Sequence, residues 1–169
     1  ATPLQGELGG VWAQKHEPTF DEHGTLLFNS KKFAMDLFYQ HVDQKNYTTS
    51  GFDSYHLLND GTTHHITSLM QNRYKGYSHN VRLGMDYNFS KNHLLSLVYQ
   101  LTNTSGSSQQ TTTGTIMSIA DFKKHTWLHN LRLDYIVPFG LKAGAELTYY
   151  HNPSHENFQS TIPTGAMQV

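Results

Sequence analysis

Apolar and polar residues alternate one by one through five stretches of this chain. In 80–88, Val81, Leu83, Met85 and Tyr87 alternate with Asn80, Arg82, Gly84, Asp86 and Asn88. In 33–42, Phe33, Met35, Leu37 and Tyr39 stand opposite Ala34, Asp36 and Gln40, with Phe38 as the exception. The same split runs through 93–102 (Leu95, Leu97, Tyr99, Leu101), 127–137 (Trp127, Leu131, Leu133, Tyr135, Val137) and 141–150 (Leu141, Ala143, Ala145, Leu147, Tyr149). Successive side chains on a strand point to opposite faces, so each stretch reads as a strand with one apolar and one polar face. Helical spacing fits none of them as well. Weaker strands are expected at 7–15, 24–29 and 158–169. The fold class is therefore all-β, an antiparallel up-and-down meander of about eight strands.

Two of these stretches begin with nearly the same pentapeptide, HNVRL at 79–83 and HNLRL at 129–133. Each copy continues as alternation, a short turn and further alternation. Such a repeat reports repeated strand–turn–strand geometry. His79 and His129 are expected at the rim of the sheet, where a strand leaves a long connection and descends toward a tight turn.

The connections divide into two kinds. NSKK (29–32), FSKN (89–92) and PFG (138–140) are tight turns, whereas 47–76, 103–124 and 152–158 read as long loops. Within 47–76, NDGTT (59–63) marks a turn inside a protruding β-ribbon. The stretch TNTSGSSQQTTTGT (102–115) is polar and of low complexity, and is expected to be a mobile loop. Tight and long connections alternate along the chain, so a meander would carry the tight turns at one end and the long ones at the other. Outer-membrane barrels have that asymmetry. Residues 1–169 read as one such β-barrel segment.

Composition narrows the chemistry. The formal net charge is -1, from 12 Lys+Arg and 13 Asp+Glu, which leaves no basic excess for nucleic acid. Cysteine is absent, which excludes disulfides, thiolate metal sites and cysteine nucleophiles. No run approaches the ~18 apolar residues of a transmembrane helix, but a transmembrane strand carries only about ten residues with every second one apolar. Aromatics mark both ends of the apolar face: Phe28, Phe33, Tyr87 and Tyr135 near the tight turns, and Tyr39, Tyr99 and Tyr149 farther along. At ~3.3 Å per residue and a tilt near ~40°, the two groups lie roughly 15–20 Å apart along a barrel axis, close to the height of a lipid-facing band with two aromatic girdles.

SHNVRLGMDYNFSKNHLLSLVYQ (78–100) and GTLLFNSKKFAMDLFYQH (24–41) resemble hairpins of the TonB-dependent receptor and outer-membrane β-barrel families of Bacteroidetes-type bacteria. The resemblance covers roughly 24–151 and rests on hairpin style. It implies a segment of a 22-stranded barrel in the bacterial outer membrane, used for nutrient uptake. The implied partners are the lipid bilayer, an unknown small nutrient ligand and, through parts not in this chain, a TonB-type energy-coupling protein. The plug, the energy-coupling segment and an aromatic C-terminal residue typical of such barrels have no counterpart in the sequence, which ends at Val169. Two alternatives fit the length and patterning: a complete small eight-stranded outer-membrane barrel with a structural or adhesive role, and a soluble β-rich binding module.

No catalytic, cofactor-binding or metal site is assigned, and no enzymatic role is expected. His64 and His65 are adjacent, so a strand sends them to opposite faces. His151, His155 and Glu156 form the best local cluster, without the convergence a metal requires. Ser96 has no histidine partner that would make it a nucleophile. Asp86 and Asp134 are expected to pair with Arg82 and Arg132 along the polar wall and not to act as an acid–base couple.

Overall fold

The computed structural model describes residues 3–161. Its strands are β1 (Leu4–Gln14), β2 (Pro18–Asn29), β3 (Phe33–Leu57), β4 (Thr63–Ser90), β5 (His93–Gly114), β6 (Met117–Ile136), β7 (Lys142–His151) and β8 (Ser154–Thr161). They form one antiparallel sheet in the order β1-β2-β3-β4-β5-β6-β7, and β8 pairs with β6. The all-β meander expected from the alternation is thus observed, with every neighbouring pair antiparallel. β1 and β7 are not joined, so the sheet is open.

Residues 30–32, 91–92 and 137–141 connect the strands at one end of the sheet. Ser30 closes the first connection with its backbone N–H and its hydroxyl, both donating to the Phe33 carbonyl, at 2.8 and 3.0 Å. In the third, Val137 N–H donates to Leu141 O and Gly140 N–H to Val137 O, both at 3.1 Å. Gly140 has φ +79°, a value that L side chains rarely adopt.

At the opposite end the ribbon expected around NDGTT forms, but the long loops do not. Segments 47–76, 103–124 and 152–158 are mainly strand: β3 and β4 stay paired out to Leu57↔Thr63, and β5 and β6 out to Thr112↔Ser118. The turns that close these ribbons are short, at 58–62 and 115–116. The stretch 102–114 is laddered to β4 on one side and, through residue 112, to β6 on the other. Backbone pairing needs no apolar face, and the β-branched threonines of this stretch suit an extended chain. Segment 152–158 fails as a loop for a related reason. Pro153 lacks an N–H, yet its carbonyl accepts the His125 N–H at 3.2 Å, so pairing with β6 carries across a two-residue interruption and resumes as β8. The expected final strand at 158–169 is therefore the continuation of β7 along β6 as far as Thr161; residues 162–169 lie outside the described part.

The sheet is a single layer. Among the described residues, Ala120 is the sole buried hydrophobic side chain. The accessible surface is 12402 Å² for a chain of 19.2 kDa, where a globular monomer of that mass exposes about 8,400 Å². Leu8 is 90% exposed and Leu147 67%.

Candidate membrane-facing surface

Strand register sorts the side chains into rows on two faces, because directly paired residues of neighbouring strands share a face. One face is aliphatic in its middle. Met35, Met85, Leu97, Leu133 and Ala145 form one row across β3 to β7, and Leu37, Leu83, Tyr99, Leu131 and Leu147 form the next. Toward the tight turns this band ends in a row with Phe33, Tyr87, Leu95 and Tyr135. Rings cluster there. Phe28 and Phe33 lie 6.0 Å apart, Tyr87 and Phe89 4.7 Å, and His93 stacks on Phe89 at 4.4 Å while its Nε2 hydrogen-bonds the Tyr135 hydroxyl.

At its other end the band meets a second belt, and the repeated HN pentapeptides lie in it. The Tyr39 hydroxyl and His79 Nδ1 are hydrogen-bonded at 2.8 Å, and the Tyr99 hydroxyl and His129 Nδ1 at 2.7 Å. In both cases the tyrosine stands on the preceding strand, one row nearer the aliphatic band than its histidine. His41 stacks on His79 at 4.9 Å, and Trp127 is flanked by His125 and His129 at 5.5 and 6.1 Å. His79 and His129 thus border the aliphatic band, each with its Nδ1 partnered, but they lie within β4 and β6 and not at the rim of the sheet as expected, because the strands run on past them. Their tyrosine partners went unread in the sequence, although the turn at 58–62 alone sets the β3–β4 register that brings Tyr39 to His79.

The other face is mainly polar over the same height, with Phe38 and Val98 as apolar exceptions. Arg82 donates to Asp36, Ser96 to Asp86, Arg132 to Asp134 at 2.9 Å, and Asn130 to Glu146 at 2.8 Å. The expected Arg132–Asp134 pair forms. Arg82 instead crosses to β3, and Asp86 accepts the hydroxyl of its registered neighbour Ser96. Ser96 is therefore held by a carboxylate. Farther out on this face, Tyr74 lies over the paired glycines Gly76 and Gly106. A Cβ on Gly106 would meet only the Tyr74 ring as its nearest neighbours, whereas one on Gly76 would also meet the Ser105 carbonyl at 2.8 Å.

The histidine clusters separate as strand geometry requires. His64 pairs with His56 and His65 with Tyr55 on opposite faces; His65 stacks on Tyr55 at 4.4 Å and bonds Asp53. His151 is registered with Trp127, His155 with Lys123, and Glu156 with Phe122 on the other face. Among the described residues no three His, Cys, Asp or Glu side chains converge as metal ligands would. No helix among them is long and apolar enough to cross a membrane, which does not bear on strands. Comparison of the sequence with protein-family models and with curated proteins finds no match.

Proposed function

We propose that this chain is a stretch of the wall of a bacterial outer-membrane β-barrel, belonging to a TonB-dependent receptor that takes up a small nutrient. The observation that carries the membrane reading is the aliphatic band bounded by two ring belts, on a one-layer sheet whose opposite face is charged and hydrogen-bonded. A bilayer offers hydrocarbon against the band, headgroups against the tyrosine, tryptophan and histidine belts, and water in the lumen against Asp36, Arg82 and Asp134. The unpaired edges of β1 and β7 favour a segment of a larger barrel over a small barrel closed by this chain. The uptake role rests on the hairpin resemblance of 24–151. In this reading the wall is non-catalytic, and the ligand and the energy-coupling protein engage other parts of the receptor.

The test is bilayer contact at two neighbouring positions. A spin label at position 97 is expected to be relaxed by lipid-soluble quenchers, and one at position 96 by aqueous quenchers. The reverse pattern, or aqueous access at both positions, ends the membrane reading.

A further inference from the structure

Beyond the belt, on the same face as Leu83, Leu97 and Leu133, the register lines up Lys45, Lys75, Ser107, Lys123 and His155 in one row across β3, β4, β5, β6 and β8. Lys75 stands two residues beyond Tyr77, and Lys123 two beyond His125, so the ammonium groups begin ~7 Å past the rings. Lys45 and Lys75 are directly opposed. Like charges in direct opposition destabilise a sheet unless an anion lies between or above them. Carboxylates of this chain answer part of that charge. Glu17, in the β1–β2 turn, accepts from Lys75 at 3.0 Å and from Arg73, while Lys45 Nζ donates to the Pro18 carbonyl at 2.8 Å. Asp43 is engaged by His41 at 3.3 Å and by the Phe20 N–H at 3.2 Å. Among the described residues Lys123 forms no ion pair. The row floors an open depression of about 640 Å³, whose walls include Tyr77, Ser105 and His125.

We infer that this row is a binding site for the phosphate groups of an outer-leaflet glycolipid, its acyl chains lying against the aliphatic band below. The inference rests on the membrane reading above and adds to it a ligand class and a site. Three features select a lipid phosphate over a free anion. The cations lie on the apolar face. They stand immediately past the interfacial rings, at headgroup height. The lysine row lies on the face opposite Asp36, Asp86 and Asp134, and Asp43, the carboxylate that lines the depression, is already engaged by His41 and the Phe20 N–H. Ser105 and Ser107 supply hydroxyl donors between the lysines, so a phosphate seated there receives both charge and hydrogen bonds.

The experiment uses the full-length protein in micelles of an uncharged detergent, with Trp12→Phe so that Trp127 in the belt is the reporter within this chain. It is titrated with bisphosphorylated lipid A, with the same lipid stripped of phosphate, and with inorganic phosphate. Saturable binding of the bisphosphorylated lipid is expected. A juxtaposed lysine contributes about fivefold to binding of an anionic headgroup, so the Lys45→Gln/Lys75→Gln/Lys123→Gln variant should bind more than tenfold more weakly. Lys142→Gln, beside the tight turns at the far end of the sheet, should bind like the parent. Lys123→Gln alone, which removes no ion pair among the described residues, carries the test if the triple variant loses its strand circular dichroism; about fivefold weakening is expected. Unchanged binding by these variants, equal binding of the phosphate-free lipid, or saturation by inorganic phosphate over the same concentration range overturns the site. Lipid with brominated acyl chains separates the two readings: absence of Trp127 quenching ends the membrane reading itself, whereas quenching without lysine dependence ends only this inference.

Discussion

Arginine placed at residue 97 and at residue 96 should have opposite consequences. Leu97 lies in the aliphatic row with Met85 and Leu133, one row from Tyr87 and Tyr135 on one side and one row from Tyr99 on the other. On the proposed membrane reading a guanidinium there starts in hydrocarbon, where arginine costs ~2–4 kcal/mol at the bilayer midplane. One row is two residues, or ~7 Å, which an arginine stem spans in part by snorkelling. The cost therefore falls at the lower end, about 2 kcal/mol, or roughly 30-fold in the folding constant. Ser96 is registered with Asp86 on one side and Asp134 on the other. Arginine there finds two carboxylates in a watery wall, and exposed pairs of that kind contribute ~0–1 kcal/mol in its favour. Urea unfolding in phospholipid vesicles, followed by tryptophan fluorescence, measures both. Shorter acyl chains should reduce the cost of Leu97→Arg, because the headgroups come within reach, whereas packing against a protein layer would leave it independent of lipid length. Equal costs at 96 and 97, or a cost at 97 that ignores chain length, would refute the reasoning.

Three further outcomes are expected. Gly76→Ala should destabilise more than Gly106→Ala, and Tyr74→Ala should relieve the latter but not the former, because only the Gly76 Cβ meets a backbone carbonyl; thermal unfolding of the single and double variants decides it. Arg73 and then Lys75 hydrogen-bond the half-buried Glu17 and hold its carboxyl below the ordinary value of 4.5. The stabilising contacts are thus present above that value and are lost as pH falls through the depressed folded-state value; an NMR titration should find the Glu17 midpoint below 4.5, with Arg73→Gln moving it back up. Limited proteolysis of the folded protein should cut first at the ribbon tip 58–62, before 102–114, since the latter is hydrogen-bonded on both sides over most of its length; early cleavage within 102–114 would contradict that ladder.

The strands that border the aliphatic band were legible because burial, or contact with hydrocarbon, imposes alternation on them. Residues 80–88 show it without exception on their apolar face and 93–102 from Leu95 onward, and β4 and β5 contain them. Beyond the belt both faces are largely polar, so the order of residues separates strand from loop only where a turn motif such as NDGTT marks a ribbon; 102–114 has no such mark and reads as a loop for that reason. NDGTT marks the turn of the β3–β4 ribbon, and that turn carries more than the ribbon itself. A hairpin centred there fixes every β3–β4 partner, and extending it inward places Tyr39 beside His79 without any apolar signal. The lysine row was illegible for the same cause: Lys45, Lys75 and Lys123 are far apart in sequence and meet only once the ribbons are known to be paired to their tips.

The outward overrun of β3 to β6 also bears on what covers the apolar face. β4 has 28 residues, a strand of ~92 Å, yet the aliphatic band occupies only the stretch from Tyr87 to Val81. A second protein layer packed on this face would have to stop at the tyrosine–histidine belt and leave the ribbons bare beyond it. Hydrocarbon of fixed thickness stops there of its own accord. The same slab accounts for the ring belts at both borders and for lysines past the outer one. It also accounts for a sheet that buries almost nothing within itself. The edges of β1 and β7 remain, and lipid cannot satisfy unpaired N–H and C=O groups. In the proposed membrane setting those edges require further strands, so the reading that covers the apolar face with lipid also requires a barrel larger than the sheet described.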